Sequence, residues 1–515
     1  VPSRAAYHPA ASTGRETELK LHARPEDLAT LAGHPVLAAA REGAALEQHQ
    51  LTTYYDTPDL ALARAGVALR VREFDRRRWI QGLKTLCGTA SGDAVAVAVR
   101  REWEWPLAGP TPDAALLAGA EIGRLLPAEA AAALTPIFAT DVRRTTLVIR
   151  PDSLTAIEVA LDRGVLRAGE AERPICEVEL ELLAGPVGPL FDLALALHQA
   201  VPLRIATESK ADAGFHLVTG EPARPRQPAP LALAATTTVA EAFRHAVRHA
   251  LGALLDNEAA ALAALEDEPG AELSALHTLR AALRRLRNAL ALFEPALASG
   301  ATAALAAECR DLAAGLGPAH RWTRVAALAP TTPATAPALA AAQRAANQLA
   351  RATILGAGFT RLVLTFGAWI EQERWAADAD EAHRALLARP MSDLAGPWLE
   401  HLHRRVRKAD PQSRESGAVA DEGLKRLRRR LRRFHDALDI LRGLYAPAET
   451  RVLLAAVEAL RTELDALNDL ALTRTLLGSV AGSEADAGLP QQIAARQQAL
   501  ADSLRAFRAA APFWK

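Results

Sequence analysis

The sequence predicts an α+β half followed by an all-helical half. Three observations carry that prediction. Between about residues 14 and 217, short segments alternate charged with apolar residues. A proline-rich stretch with PARPRQPAP at its centre then interrupts the chain at 218–236. Beyond it, Ala, Leu, Arg and Glu recur with helical period. A chain of 515 residues exceeds what one core ordinarily serves, and domains of roughly 100–200 residues make at least two folding units the expectation. The expected boundaries are 14–217 for the first domain, 218–236 for a linker whose prolines can continue neither a helix nor a central strand, and 237–510 for the helical domain.

Composition narrows the setting. Half of the residues are apolar, yet no run approaches the roughly 18–20 needed to cross a bilayer. The start carries no signal-peptide pattern. The three cysteines, Cys87, Cys176 and Cys309, are isolated, which argues against a disulfide framework or a CxxC site. These features predict a soluble chain in a reducing cytoplasm. Net charge is zero, which by itself argues against a polyanionic partner, but distribution outweighs the sum. All three lysines before residue 230, Lys20, Lys84 and Lys210, fall in the motifs below.

Successive side chains of a strand point to opposite faces, so residues of one parity share a surface. ETELK places Glu16, Glu18 and Lys20 together, LRVR places Arg70 and Arg72, and RREWEW sets Arg100, Glu102 and Glu104 opposite Trp103 and Trp105. IEVALD gives Glu158 and Asp162, and CEVELEL gives Glu177, Glu179 and Glu181 opposite Val178, Leu180 and Leu182. A solvated outer face explains any one such strand. Five of them favour a closed sheet whose lumen holds the charges, where they must be paired, hydrated or ligand-bound. Alanine-rich helical stretches are expected near 25–40, 112–134 and 186–200.

The helical half contains an internal repeat. HTLRAALRRLR (277–287) aligns without gaps on KRLRRRLRRFH (425–435), both reading basic-x-x-Arg-x-x-x-Arg-Arg-x-basic. At about 100° per residue, positions 0, 3, 7 and 10 fall in one stripe. His277, Arg280, Arg284 and Arg287 therefore share a face, as do Lys425, Arg428, Arg432 and His435, with Arg285 and Arg433 beside them. Leu276, Leu279, Leu283 and Leu286 in one copy, and Leu424, Leu427, Leu431 and Phe434 in the other, supply the opposite apolar face. Two matched stripes favour an anion-binding groove over a solvated surface, since guanidinium offers several donors to phosphate oxygens. Spacing does not choose between polyphosphate and nucleic acid, but the scarcity of aromatics disfavours base stacking.

ETELK resembles the ExExK signature of the CYTH, or triphosphate tunnel metalloenzyme, superfamily. YYDT (54–57), LRVR, GLKT (82–85), RREWE, TDVRR (140–144), CEVE and SK (209–210) follow in that family's order. The resemblance implies an eight-stranded antiparallel barrel forming a tunnel, and activities that include hydrolysis of inorganic triphosphate or thiamine triphosphate and cyclisation of ATP. By position it implies phosphate-binding roles for Lys20, Arg70, Arg72, Lys84, Arg144 and Lys210. It implies metal-binding roles for Glu16, Glu18, Glu102, Glu104, Glu158, Glu177 and Glu179, with Glu16, Glu18 and Lys20 at the catalytic centre. Hard cations such as Mg²⁺ or Mn²⁺ prefer such oxygen donors. Arg100, Asp162 and Glu181 are equally suited to be pairing partners. One departure is visible: the family's SKxxRG is SKADAG here, with Ala213 in the place of arginine.

LHTLRAALRRLR resembles the histidine-arginine helix of the CHAD domain and LKRLRRRLRRFH its second copy, with LNDL (467–470) matching an LxD-type turn. This resemblance implies a pair of four-helix bundles around a basic cleft that binds inorganic polyphosphate. In LGPAHRWTRV (316–325) the family's acidic pair is missing, and Lys425 replaces the second-copy histidine. Together the two resemblances are to bacterial CYTH–CHAD inorganic triphosphatases. They imply a cytoplasmic metal-dependent hydrolase of inorganic triphosphate, associated with polyphosphate granules. The rival expectation is a non-catalytic polyphosphate-docking protein; a nucleic-acid partner is less favoured, and no membrane is expected.

Overall fold

The computed structural model describes residues 12–85, 96–117, 133–266, 274–328, 336–409, 418–481 and 489–515. Cys87 and parts of the 112–134, 329–337 and 409–418 stretches lie outside them. Nine strands form the first half: β1 Ser12–His22, β2 Arg41–Asp56, β3 Val67–Phe74, β4 Arg78–Thr85, β5 Val97–Leu107, β6 Thr135–Ile149, β7 Ala156–Ala168, β8 Ala171–Ala184 and β9 Arg204–Ile205. Their order is β5-β4-β3-β2-β6-β7-β8-β1, and β1 also pairs with β5, so eight antiparallel strands close on themselves, with β9 added beside β1. Closure leaves the barrel itself without an open edge and creates an inside.

Short helices α1 Leu28–Ala32, α2 Pro35–Ala40 and α3 Ala61–Arg64 join the early strands, and α4 Gly188–Ala200 and α5 Lys210–Thr219 follow β8 and β9. The outward residues of the strands are apolar and buried, as with Leu19, Leu21, Ile157, Val159, Val178 and Leu180. Helix α5 packs on inward residues near one end of the lumen. Its Phe215 meets Phe138, which stacks on Tyr54 with ring centroids 4.5 Å apart. Gly214 allows that approach, because a Cβ there would lie 2.0 Å from the Phe138 ring. Ser209 caps α5, its hydroxyl accepting from the Asp212 amide while the Asp212 carboxylate accepts from the Ser209 amide.

Among the described residues, ten further α-helices follow. They are α6 Val239–Glu266, α7 Ser274–Phe293, α8 Thr302–Leu328, α9 Ala336–Leu355, α10 Ala357–Glu371, α11 Glu381–Ala388, α12 Met391–Arg407, α13 Ala418–Leu441, α14 Pro447–Ala481 and α15 Leu489–Ala509. The LNDL motif falls inside the continuous helix α14 rather than at a turn. The extended segment before α6 is tied down by buried Asn257, whose side chain accepts from the Arg226 amide and donates to the Arg226 carbonyl, both at 2.9 Å. No single helix among the described residues is long and apolar enough to cross a membrane.

The chain divides into two compact units, and the division is not a single cut. One unit runs to Ala223 and also takes Gly356–Gln372; the other comprises Arg224–Leu355 and Glu373–Lys515. Helix α10, which lies within the helical half by sequence, thus packs with the barrel's unit, against α4. Its two ends are pinned. The Leu203 amide donates to His198 Nδ1 at 3.1 Å, so His198 Nε2 donates to the Ala357 carbonyl at 2.9 Å. Gln372 donates to Asp192 at 2.7 Å. Between them Gly367 faces Phe191 so closely that a Cβ would lie 2.2 Å from its ring. Gly367→Val is therefore expected to destabilise the barrel's unit by about 1–3 kcal/mol through overpacking, a loss that thermal unfolding will register.

Candidate functional site

Strand alternation turns the charged faces inward. A cavity of about 350 Å³ inside the barrel is lined by Glu16, Glu18, Lys20, Arg70, Arg72, Lys84, Glu102, Glu104, Arg144, Glu158, Glu179 and Lys210, all singled out in the sequence, together with Arg100 and Glu181. Glu177 is not among the lining residues, but its carboxylate reaches Lys210 at 2.8 Å and Lys20 at 3.7 Å. Asp162 is not a lining residue either and has no solvent exposure; it lies opposite Arg144 on β6 and Glu177 on β8.

The lumen charges form two groups. On the β1–β3–β5 side, Lys84 pairs with Glu16, Arg70 with Glu102 and, at 3.6 Å, Glu104, and Arg100 with Glu18 at 2.6 Å. On the β6–β8 side, Asp162, Glu177 and Glu179 interleave with three cations. Arg144 donates to Asp162 at 2.6 and 2.7 Å, Lys20 reaches Glu179 at 2.8 Å, and Lys210 reaches Asp162 at 2.7 Å and Glu179 at 2.8 Å. Burial alone would raise the Glu179 carboxyl, but Lys20, Lys210 and Arg144 outweigh it and hold it well below the usual range. The same contest depresses Asp162 and Glu177. Burial would lower Lys210, but Asp162, Glu177 and Glu179 raise it well above an ordinary lysine.

Arg72 differs from these cations. Among the described residues it has no ion pair, and its Nε donates only to Thr52 Oγ1 at 3.3 Å. Burial, then Arg70 and Arg144, push its pKa down, which marks a site where positive charge exceeds its local compensation. An anion entering the lumen meets unmatched charge there.

The donor set suits a hard divalent cation. Oxygen atoms of Asp162, Glu177 and Glu179 lie within 4.8 Å of one another, and the opposite side offers Glu16, Glu18, Glu102 and Glu104. The first three are neutralised by Lys20, Lys210 and Arg144. A divalent ion held by these oxygens would compete with the cations that now pair with them.

Several lining residues escaped the sequence reading. Gln48, Gln50 and Tyr54 share one parity on β2 and face the lumen with Thr146 and Arg78, the last lying 4.3 Å over the Phe74 ring. The β2 alternation was the available signal. Ala213 does not line the cavity; it packs with Val142, Leu166 and Ile175, so the missing arginine leaves the lining intact.

In the helical half the predicted basic residues separate. Arg280, Arg284, Arg428 and Arg432 converge: burial, then Arg432, Arg321, Arg284 and Arg428, push Arg280 down to about 10. Asp465 bridges Arg428 at 2.7 Å and Arg432 at 2.8 Å, and fully buried Asp436 accepts from Arg284 at 3.1 Å. His277 approaches the same cluster, since Arg284 and Arg280 contribute to its lowered pKa. Arg285 is held by Asp439 at 3.1 Å, and His435 sits among Asp436, Asp439 and Glu458. Arg287 lies towards buried Cys309, Lys425 is exposed beside Glu422, and Arg433 is exposed. Arg324 and Arg461, whose fields also reach His277, belong to no repeated motif and were not singled out.

Asp162→Asn should cost about 3–5 kcal/mol, because it leaves Arg144 and Lys210 short of a buried counter-charge. Since the folded-state carboxyls are depressed, their stabilisation is complete above the unfolded-chain value near ~4 and is lost as pH falls through the folded values. Urea unfolding at neutral and acid pH should show that acid dependence in wild type and less of it in the variant.

Residues 14–215 match the family model of the CYTH domain and residues 245–478 that of the CHAD domain. The chain is 38% identical over 166 residues to an inorganic triphosphatase of Haemophilus influenzae. That match covers 32% of this chain and 45% of the relative, so it spans less than half of that protein. Among solved structures, the CHAD domain of the plant Ricinus communis is 27% identical, with 56% of this chain and 96% of that one covered at a TM-score of 0.42. A Hippeastrum adenylyl cyclase candidate with a dominant triphosphatase activity is 18% identical, with 40% and 96% covered at 0.30.

Proposed function

We propose, for a chain that belongs to the CYTH family over residues 14–215 and to the CHAD family over residues 245–478, that the barrel hydrolyses inorganic triphosphate with Mg²⁺ or Mn²⁺ while the helical domain grips polyphosphate. The observation that carries this reading is a lumen in which six candidate phosphate-binding cations and a dense set of carboxylates face the same cavity. A site built for anions alone would have no use for so many acids.

In this reading Arg72 is the first docking charge, because it has no carboxylate to surrender. Arg70, Lys84, Lys20, Arg144 and Lys210 then exchange carboxylate oxygens for phosphate oxygens, which orients the chain along the barrel. Glu16, Glu18, Glu102, Glu104, Glu158, Glu177 and Glu179 are the residues that would hold metal. A bound divalent ion would neutralise phosphate charge and lower the pKa of water. Once that exchange is made, the cations stand around the phosphate oxygens, where they stabilise the developing negative charge. Water cleaves the terminal P–O bond, giving orthophosphate and diphosphate.

The helical domain, read as two four-helix bundles, would hold longer chains on Arg280, Arg284, Arg428 and Arg432, with His277, Arg285, Arg287, Lys425, Arg433 and His435 as the outlying members of the original set. The protein would then reside in the cytoplasm at polyphosphate granules. The rival reading, a docking protein with a silent barrel, draws on the ion pairs that Glu16, Glu18, Glu177 and Glu179 make with lumen cations.

Phosphate release from triphosphate, ATP and long-chain polyphosphate with Mg²⁺ or Mn²⁺ separates the two. Glu18→Gln should lower metal-dependent triphosphate turnover by about 100-fold or more. Arg72→Gln should raise KM roughly 10-fold or more by removing a charge-assisted contact. No turnover of any substrate, with tight polyphosphate binding that Arg280→Ala/Arg428→Ala abolishes, would establish the docking protein instead.

A further inference from the structure

The two ends of the lumen differ in chemistry. Near α5, Tyr54 and Ala68 pack with Phe138, Ala211 and Phe215. From Ala68, β3 runs six residues, about 20 Å of strand, away from α5 to Phe74 at the β3–β4 turn. Deep in the barrel Lys20, Arg70, Lys84, Arg144 and Lys210 each hold a carboxylate. On β2, β3 and β4 the lining at the turn is instead Gln48, Gln50, Arg72, Phe74, Arg78 and Ile80, with two amides, two guanidinium groups and no acid. Glu104, on β5, is drawn to Arg70 at 3.6 Å.

The turn fixes this corner. Phe74 pairs with Arg78 across it and with Gln50 on β2. Asp75 and Arg76 both adopt the left-handed conformation, with φ 47° and 60°, which residues other than glycine take only at a cost. His49, between the two glutamines, holds Asp75 in place. The Asp75 amide donates to the His49 carbonyl and its carboxylate accepts from the His49 amide, both at 3.1 Å. Strand parity then turns Gln48 and Gln50 inward. Gln50 is only 6% exposed, yet among the described residues neither glutamine side chain has a hydrogen-bond partner. Buried amides ordinarily have one. Arg78 makes no ion pair among the described residues; its guanidinium lies 4.3 Å over the Phe74 ring.

A nucleoside base has no platform here. The aromatic side chains that line the cavity are Tyr54 and Phe74. Tyr54 is stacked on Phe138, and Arg78 covers Phe74. Stacking occupies the face of a guanidinium and leaves its in-plane N–H groups free to donate. The corner therefore offers positive charge and amide donors without a carboxylate to hold metal.

We propose that Gln48, Gln50 and Arg78 form a subsite for a fourth phosphoryl group, so that the barrel favours linear inorganic phosphate chains longer than triphosphate over nucleoside triphosphates. The inference rests on the hydrolase reading of the barrel. Three phosphates lie among the deep cations, and the fourth continues along β3 past Arg72 to the edge of the Arg78 guanidinium and the Gln50 amide. Because α5 packs at the other end, the β3–β4 turn is the direction in which a longer chain extends.

The test is kcat/KM of the full chain for inorganic tetraphosphate, inorganic triphosphate and ATP with Mg²⁺, read as phosphate release. Wild type should turn over tetraphosphate at least as efficiently as triphosphate and about 10-fold or more better than ATP. Arg78→Gln should lower the value for tetraphosphate about 10-fold more than that for triphosphate and, by uncovering Phe74, narrow the gap to ATP. Gln50→Leu should move the ratio of tetraphosphate to triphosphate in the same direction by a smaller factor. Circular dichroism checks the folding of both variants. A wild type that favours triphosphate over tetraphosphate, or an equal loss for the two substrates in both variants, overturns the subsite and leaves triphosphate hydrolysis in place. No turnover of any substrate overturns both.

Discussion

The mutual neutralisation of Asp162, Glu177 and Glu179 by Lys20, Arg144 and Lys210 is the constraint on which the barrel depends. Asp162 has no solvent exposure, and a carboxylate so placed is tolerable only because Arg144 and Lys210 approach it together. Those cations come from β6 and from the first residue of α5, so one cluster ties a wall strand to the helix packed at one end of the lumen. Phosphate and metal would replace, pair for pair, interactions that are present without them.

The helical half solves a related problem differently. Its arginines are partly compensated, through Asp436 and Asp465, and partly left in one another's fields, as the depressed values of Arg280 and Arg432 record. Compensation reaches both repeats: Asp436 and Asp439 hold Arg284 and Arg285 of the first, and Asp465 holds Arg428 and Arg432 of the second. Arg280 makes no ion pair among the described residues, so the duplicated motif has become two unlike surfaces.

Much of the barrel was legible because strand parity is a strict rule. Charged residues two apart on ETELK, LRVR and RREWEW had to share a face, and closure made that face a lumen. Parity does not report depth along the barrel, which is why Glu177, of the same parity as Glu179, lies outside the lining while Glu179 is within it. Helical stripes are weaker guides. Arg280 and Arg287 fall on one stripe, yet Arg280 enters the cluster and Arg287 lies towards Cys309, since the neighbours along a helix change from turn to turn. LNDL was expected at a turn through the CHAD resemblance, but α14 runs through it as continuous helix.

The return of α10 to the barrel's unit bears on how this protein is made. A chain emerges from the ribosome N-terminus first, and domains ordinarily fold as they appear. Here the strands and α4 are complete by Ile205, but the helix that lies on α4 is not synthesised until Glu371. For that interval Phe191 lacks its packing partner, and the nascent barrel carries an uncovered apolar stripe. Maturation of the first unit must wait on translation of Arg224–Leu355, which belongs to the second, so the two units are interleaved in synthesis as well as in sequence.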